Sequence, residues 1–259
     1  MDLYINYDEY CNSRNNLSKY DMIWKENFAS RKVRGDCSYL YTKFKPVSYE
    51  DFYKKYVQDG NSTYNNRKNI DSYNRGRSEE EILTESIRFY NMIKDEYPND
   101  VIRITDCINV YIGRTIHDTF DGHYIENLVD KLLAHNGYTT SSPQGDSDSL
   151  YGIDRYCYRD GTLKFLVQVK PMYFFKDNKY KNKIIERKYA FEKEAKAEKV
   201  FNVPIYYVVY KRDKLDNKRV SFLTNGNNFA FKLNQLCNPN GLVNDNPYKG
   251  FVFKEFNNV

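Results

Sequence analysis

After Ser78 the apolar residues fall at helical spacing. Ile82, Leu83, Phe89, Tyr90 and Ile93 line one side of an expected helix, with Ser86 between them. Ser78 and Glu81 form the Ser-x-x-Glu pattern of a capping box, and Pro98 closes the segment. Residues 101–112 (VIRITDCINVYI) place β-branched side chains at alternating positions and read as extended. A second helix is expected over 121–136, where Ile125, Leu128, Val129, Leu132 and Leu133 form a narrow stripe that Gly137 ends. A polar loop, 141–149, leads into two strands, 150–158 and 162–170, that meet at Asp160-Gly161. A helix over 182–200 and a strongly apolar strand over 203–210 (VPIYYVVY) follow, then short strands within 218–233 and 249–256. From residue 121 the order is helix, strand, strand, helix, strand. That order predicts an α/β fold, a mixed sheet with helices on both faces.

The first 77 residues are less periodic. A short helix is expected from about Ser48, and 59–77 (DGNSTYNNRKNIDSYNRGR) reads as a polar loop carrying Arg67, Lys68, Arg75 and Arg77. Together with the helix after Ser78 they form an α-rich N-terminal extension. The chain is divided into an accessory region, 1–100, and a core, 101–259.

Composition excludes some classes. At 41% hydrophobic and 29% charged residues the balance is that of a soluble globular protein. No run approaches the ~18 apolar residues of a membrane span. The opening MDLYINYDEYCNSR lacks the apolar centre of a signal peptide, so a cytosolic location is expected. The 5 cysteines are scattered and form no CxxC pair, which argues against a disulfide framework or a zinc knuckle. His117 and His123 do not share a helical face, so HExxH chemistry is absent. The net charge of +5 is mild. The 26 tyrosines read more as compositional bias than as a functional signal.

The informative segment is GIDRYCYRDGTLKFLVQVKP, residues 152–171. Glutamine and lysine inside the apolar run FLVQVK are costly to bury without a partner. Gly152-Ile153-Asp154 followed by Gln168-Val169-Lys170 resembles the catalytic core of PD-(D/E)XK nucleases. It is closest to the QxK variant of Mrr-type restriction endonucleases, and GID…VKP also resembles restriction enzymes of the MjaI kind. The resemblance covers about residues 121–210. It implies a restriction-endonuclease-like αβββαβ core and Mg²⁺-dependent hydrolysis of DNA phosphodiester bonds, with Mn²⁺ able to substitute and no nucleotide cofactor. In that reading Asp154 is the carboxylate ligand. Gln168 gives an amide oxygen, Val169 gives its main-chain carbonyl, and Lys170 holds the attacking water and offsets developing charge. Because Gln168 brings no charge, a further acid would help. Glu126, at the edge of the helix stripe, is the candidate beside the alternative of an ordinary solvated acid. Asp146, Asp148 and His123 read as polar turn and helix-start residues.

Beyond Lys170 a basic run interleaved with aromatics contains Lys176, Lys179, Lys181, Lys183 and Arg187. It is expected either to track a DNA backbone, together with Arg67, Lys68, Arg75 and Arg77, or to be a solvated helix start. The leading expectation is a type II restriction endonuclease acting on double-stranded DNA as a homodimer. A junction-resolving or repair nuclease of the same fold, and a nucleic-acid-binding protein without catalysis, are the alternatives.

The site also makes a demand on the hairpin. A two-residue Asp160-Gly161 turn with unbroken pairing would put Asp154 on the wrong face. A three-residue loop with a bulge at Gly161, or another bulge of the same effect, is therefore expected.

Overall fold

The computed structural model describes residues 5–28, 31–65, 74–143, 150–175, 178–179, 181–212, 219–244 and 250–255. The chain divides into two compact units, Met1–Tyr124 and Ile125–Val259. Among the described residues no helix is long and apolar enough to cross a membrane.

The first unit is helical. Its helices are α1 (Tyr7–Asn16), α2 (Asp21–Asn27), α3 (Arg31–Phe44), α4 (Tyr49–Asn65), α5 (Glu79–Glu96) and α6 (Ile104–Ile112). The π-helical turn Gly113–His117 leads into α7 (Asp118–His135), which runs into the second unit. The described residues among the first 77 are therefore far more regular than their sequence suggested. The reason is that tyrosine serves here as a core residue. On α4, Phe52, Tyr53, Tyr56 and Val57 are all buried, at the spacing of one helical face. The capping box forms as expected: the Ser78 hydroxyl accepts from the Glu81 N–H and the Glu81 carboxylate accepts from the Ser78 N–H. Residues 104–112 are helical, not extended. Cys107, Ile108, Val110, Tyr111 and Ile112 are buried almost all around α6, so no polar face marks the helical period.

The second unit holds a six-stranded sheet in sequence order. Its strands are β1 (Thr139–Ser141), β2 (Arg155–Arg159), β3 (Thr162–Pro171), β4 (Ile205–Arg212), β5 (Val220–Thr224) and β6 (Val252–Glu255). All neighbours are antiparallel except β3 and β4, which are parallel and joined by α8 (Lys181–Phe201). A short helix, α9 (Leu233–Leu236), precedes β6. The run α7–β1–β2–β3–α8–β4 is the expected αβββαβ order, with the short β1 lying between the expected helix and the expected loop, where no strand was read. Residues 144–149, with Asp146 and Asp148, lie outside the described residues.

Register fixes the two faces of the sheet. Leu166, Gln168 and Lys170 pair with Ile205, Tyr207 and Val209 on β4. Leu166, Ile205, Tyr207 and Val209 share one core with Ala190 and Ala197 of α8, so α8 covers that face. Arg155 pairs with Val167 and its guanidinium meets Glu126 and Asp130 of α7, which places α7 against the other face.

Candidate active site

The hairpin reaches the required register by a different route from a three-residue loop. Arg159 pairs with Thr162, so the turn has two residues, and Asp160 and Gly161 both take positive φ (53° and 70°). These are the angles of the mirror-image turn that suits strand twist, where glycine is at home. Tyr158 then pairs with Leu163, but Cys157 pairs with Phe165. Lys164 is the extra residue of a bulge, and the bulge shifts the pairing by one.

The shift brings Asp154 to Gln168. The Asp154 N–H donates to the Val167 carbonyl at 2.9 Å, and its Oδ2 accepts from the Val169 N–H at 2.6 Å. Asp154 therefore brackets Gln168, with its main chain on the residue before and its carboxylate on the residue after. Main-chain groups of successive strand residues point to alternate sides. The Leu166 N–H donates to Pro204, on the β4 side. Val167 and Val169 consequently face β2, and the Val169 carbonyl points to the side that holds the Asp154 carboxylate. β2 pairs no further than Arg155, so among the described residues no strand covers Val169 there.

Gln168 is only 7% exposed, and its side-chain amide makes no hydrogen bond among the described residues. Lys170 lies with its ammonium 5.8 Å from the centre of the Phe174 ring. Phe174 lies in the short turn Met172–Phe175 that follows β3 and is itself buried. Gly152 turns the chain at the edge of this group, with φ +66°. A Cβ there would stand 2.5 Å from Gln168 Nε2 and 3.5 Å from Lys193 Cδ.

A carboxylate, a buried amide without a described partner and a main-chain carbonyl form an all-oxygen donor set of the kind Mg²⁺ takes. Among the described residues no three His, Cys, Asp or Glu cluster as a metal site. This donor set contains only one residue of those types, so it lies outside that pattern.

Glu126 is placed differently. It bonds Arg155 Nη1 at 2.9 Å, on the face opposite Gln168 and Lys170. Arg155 Nε reaches both carboxylate oxygens of Asp130, at 2.8 and 3.0 Å, and Arg155 Nη1 also donates to the Asp154 carbonyl. Neither Arg155 nor Asp130 was singled out from the sequence. The available signal was an arginine beside the candidate aspartate, Asp154, in a segment due to be buried.

The basic residues separate into groups. Lys179 and Lys181 are exposed. Lys183 pairs with Glu186 at 2.6 Å and lies 5.4 Å from the Tyr173 ring and 5.8 Å from the Phe174 ring. Arg187 is fully buried; it donates to the carbonyls of Gly241 and Phe174 and to Asn178, and so ties α8 to the segments around it. In the first unit Arg75 makes a two-pronged bond with Glu81, at 2.9 and 2.7 Å, and Arg77 pairs with Asp36 at 3.1 Å. These three arginines hold the fold. Arg67, Lys68 and Lys176 lie outside the described residues.

No curated protein and no solved structure matches the chain. The sequence profile of the MjaI restriction endonuclease family matches residues 21–218. The match takes in most of the first unit as well as the αβββαβ core with its Asp154–Gln168–Lys170 corner, and the chain belongs to the MjaI restriction endonuclease family.

Proposed function

We propose that this restriction endonuclease cuts double-stranded DNA with Mg²⁺, or Mn²⁺ in its place, at a site made by Asp154, Gln168, Val169 and Lys170. The observation that carries the reading is the bracket around Gln168, with the Asp154 carboxylate and the Val169 carbonyl on one side of β3. The ion would be held by Asp154, Gln168 and the Val169 carbonyl. When bound, it supplies an acidified water and neutralises charge on the phosphate. The chain's own residues do the rest. Asp154 fixes the edge of the site by its bond to the Val169 N–H. Gln168 presents a neutral amide oxygen from the buried centre of β3. The Lys170 ammonium donates to the attacking water and to the phosphate oxygen on which charge grows. Lys179, Lys181 and Lys183 contact the neighbouring phosphates. Two copies of the chain, related by a two-fold axis, serve the two strands.

The test is plasmid cleavage with Mg²⁺, with Mn²⁺ and with EDTA, using the parent and the variants Asp154→Ala and Lys170→Ala. Cutting that needs the metal and is lost in both variants, with melting temperature retained, is the expected result. A folded variant that cuts at near-parent rate overturns the site. Sequencing the cut ends identifies the recognised site.

A further inference from the structure

The helix α8 covers the face of the sheet that carries Gln168 and Lys170, and one of its lysines reaches the same corner. Lys193 follows Ala190 by three residues and precedes Ala197 by four. Both alanines are buried against the sheet, so Lys193 lies on the same side of the helix, at the edge of that stripe. Its stem comes down at Gly152. Lys193 Cδ and Gln168 Nε2 both fall within 3.5 Å of the point a Gly152 Cβ would occupy. A Cβ there would crowd the Gln168 amide at 2.5 Å and meet the Lys193 stem at ordinary contact distance, 3.5 Å, so the stem and the amide flank one point.

We infer that Lys193 is a second cation of the cleavage centre and binds the DNA phosphate beside Lys170. The inference rests on the reading of Asp154, Gln168 and Lys170 as the cutting site. The chemistry supports it in two ways. Glutamine in place of a second acid leaves Asp154 as the one carboxylate of the proposed donor set, so an additional ammonium adds to the attraction of the site for the polyanion. A lysine stem packs along apolar surface while its head stays in water, so Lys193 can pass the buried Ala190 and Ala197 and still meet a phosphate.

The experiment compares Lys193→Met, which keeps the stem, Lys193→Gln and Lys193→Arg in the full chain. Three quantities are measured: melting temperature, single-turnover cleavage at saturating enzyme, and metal-free DNA binding across a salt series. Lys193→Met and Lys193→Gln should slow cleavage by about 100-fold. They should also lower the slope of log affinity against log salt by about one. Lys193→Arg should recover part of both. If Lys193→Met does not fold, Lys193→Gln decides. A folded Met or Gln variant that cuts within about threefold of the parent and keeps the salt slope overturns the inference. The two readings fail separately. Cutting that survives Asp154→Ala and Lys170→Ala sinks the site itself. Cutting lost in those two variants but normal in Lys193→Met sinks only the role of Lys193.

Discussion

The guanidinium of Arg155 donates a 2.7 Å hydrogen bond to the carbonyl of Asp154, the residue just before it, while Glu126 and Asp130 hold the same guanidinium from α7. A buried cation between two acids thus sets the main chain from which the Asp154 carboxylate hangs. Arg155→Met leaves Glu126 and Asp130 facing an apolar side chain and should destabilise the protein by about 3 kcal/mol. Glu126→Gln keeps a hydrogen-bond acceptor and leaves Asp130 in place, so its melting temperature should fall much less. Thermal denaturation of the two variants checks this. Equal losses would show that Arg155 is not held as described.

Gly152→Ala separates stability from activity. The left-handed backbone alone costs an alanine about 1–2 kcal/mol. The nearest obstacle is the Gln168 amide, the end of a flexible side chain, which can swing away. Cleavage should therefore drop much further than melting temperature. Parent-like cleavage in this variant would mean that the amide position is unimportant.

The bulge makes a sharp contrast between two changes at one position. Lys164 is exposed, and Lys164→Ala should alter stability by no more than about 0.5 kcal/mol. Deleting Lys164 makes Leu163 and Phe165 consecutive opposite the consecutive Tyr158 and Cys157, so the bulge closes while Arg155 still pairs with Val167 and Asp154 keeps its place beside Gln168. The deletion should lower the melting temperature through the changed local twist but keep metal-dependent cutting. A folded deletion variant that no longer cuts would show that the bulge itself, and not the pairing beyond it, places Asp154.

Glu194 gives a pH signature. It lies on α8 four residues after Ala190, and its Oε2 is buried without a hydrogen-bond partner among the described residues. Burial pushes its carboxyl up to about 7; Lys232, itself bonded to Glu198, acts to lower it, and Glu198 raises it further. The folded state thus holds the proton more tightly than the unfolded chain, whose glutamate titrates near the ordinary 4.5. The stability this gives is full below about pH 4.5 and is lost as pH rises through about 7. Glu194→Gln should raise the melting temperature at pH 8, with the difference shrinking toward pH 5. A difference that does not change with pH would remove Glu194 as its source.

What the sequence revealed and what it hid have physical causes. The stripe from Ile82 to Ile93 and its Ser78–Glu81 cap were legible because one face is buried and the other wet. The α6 segment was not, because burial on nearly all sides erases the period and leaves only the β-branched residues to read. The tyrosines of α4 were discounted as composition, yet Tyr53 and Tyr56 sit in the core. In the site, Gln168 and Lys170 stood out as polar residues in an apolar strand. The need for a register shift followed from the alternation of side chains. Its location at Lys164 did not, since pairing across a bulge leaves no local mark. Lys193 escaped notice because only the fold brings α8 over Gly152.

The place where β2 stops has one more consequence. The Val169 amide proton is held by a side chain, Asp154, and not by a neighbouring strand. Its exchange with solvent deuterium is therefore tied to the position of that one carboxylate, whereas the amides of Gln168 and Lys170 face β4 and are shielded by the parallel ladder. Hydrogen exchange at Val169 is a label-free gauge of how firmly Asp154 is seated, readable without any DNA present.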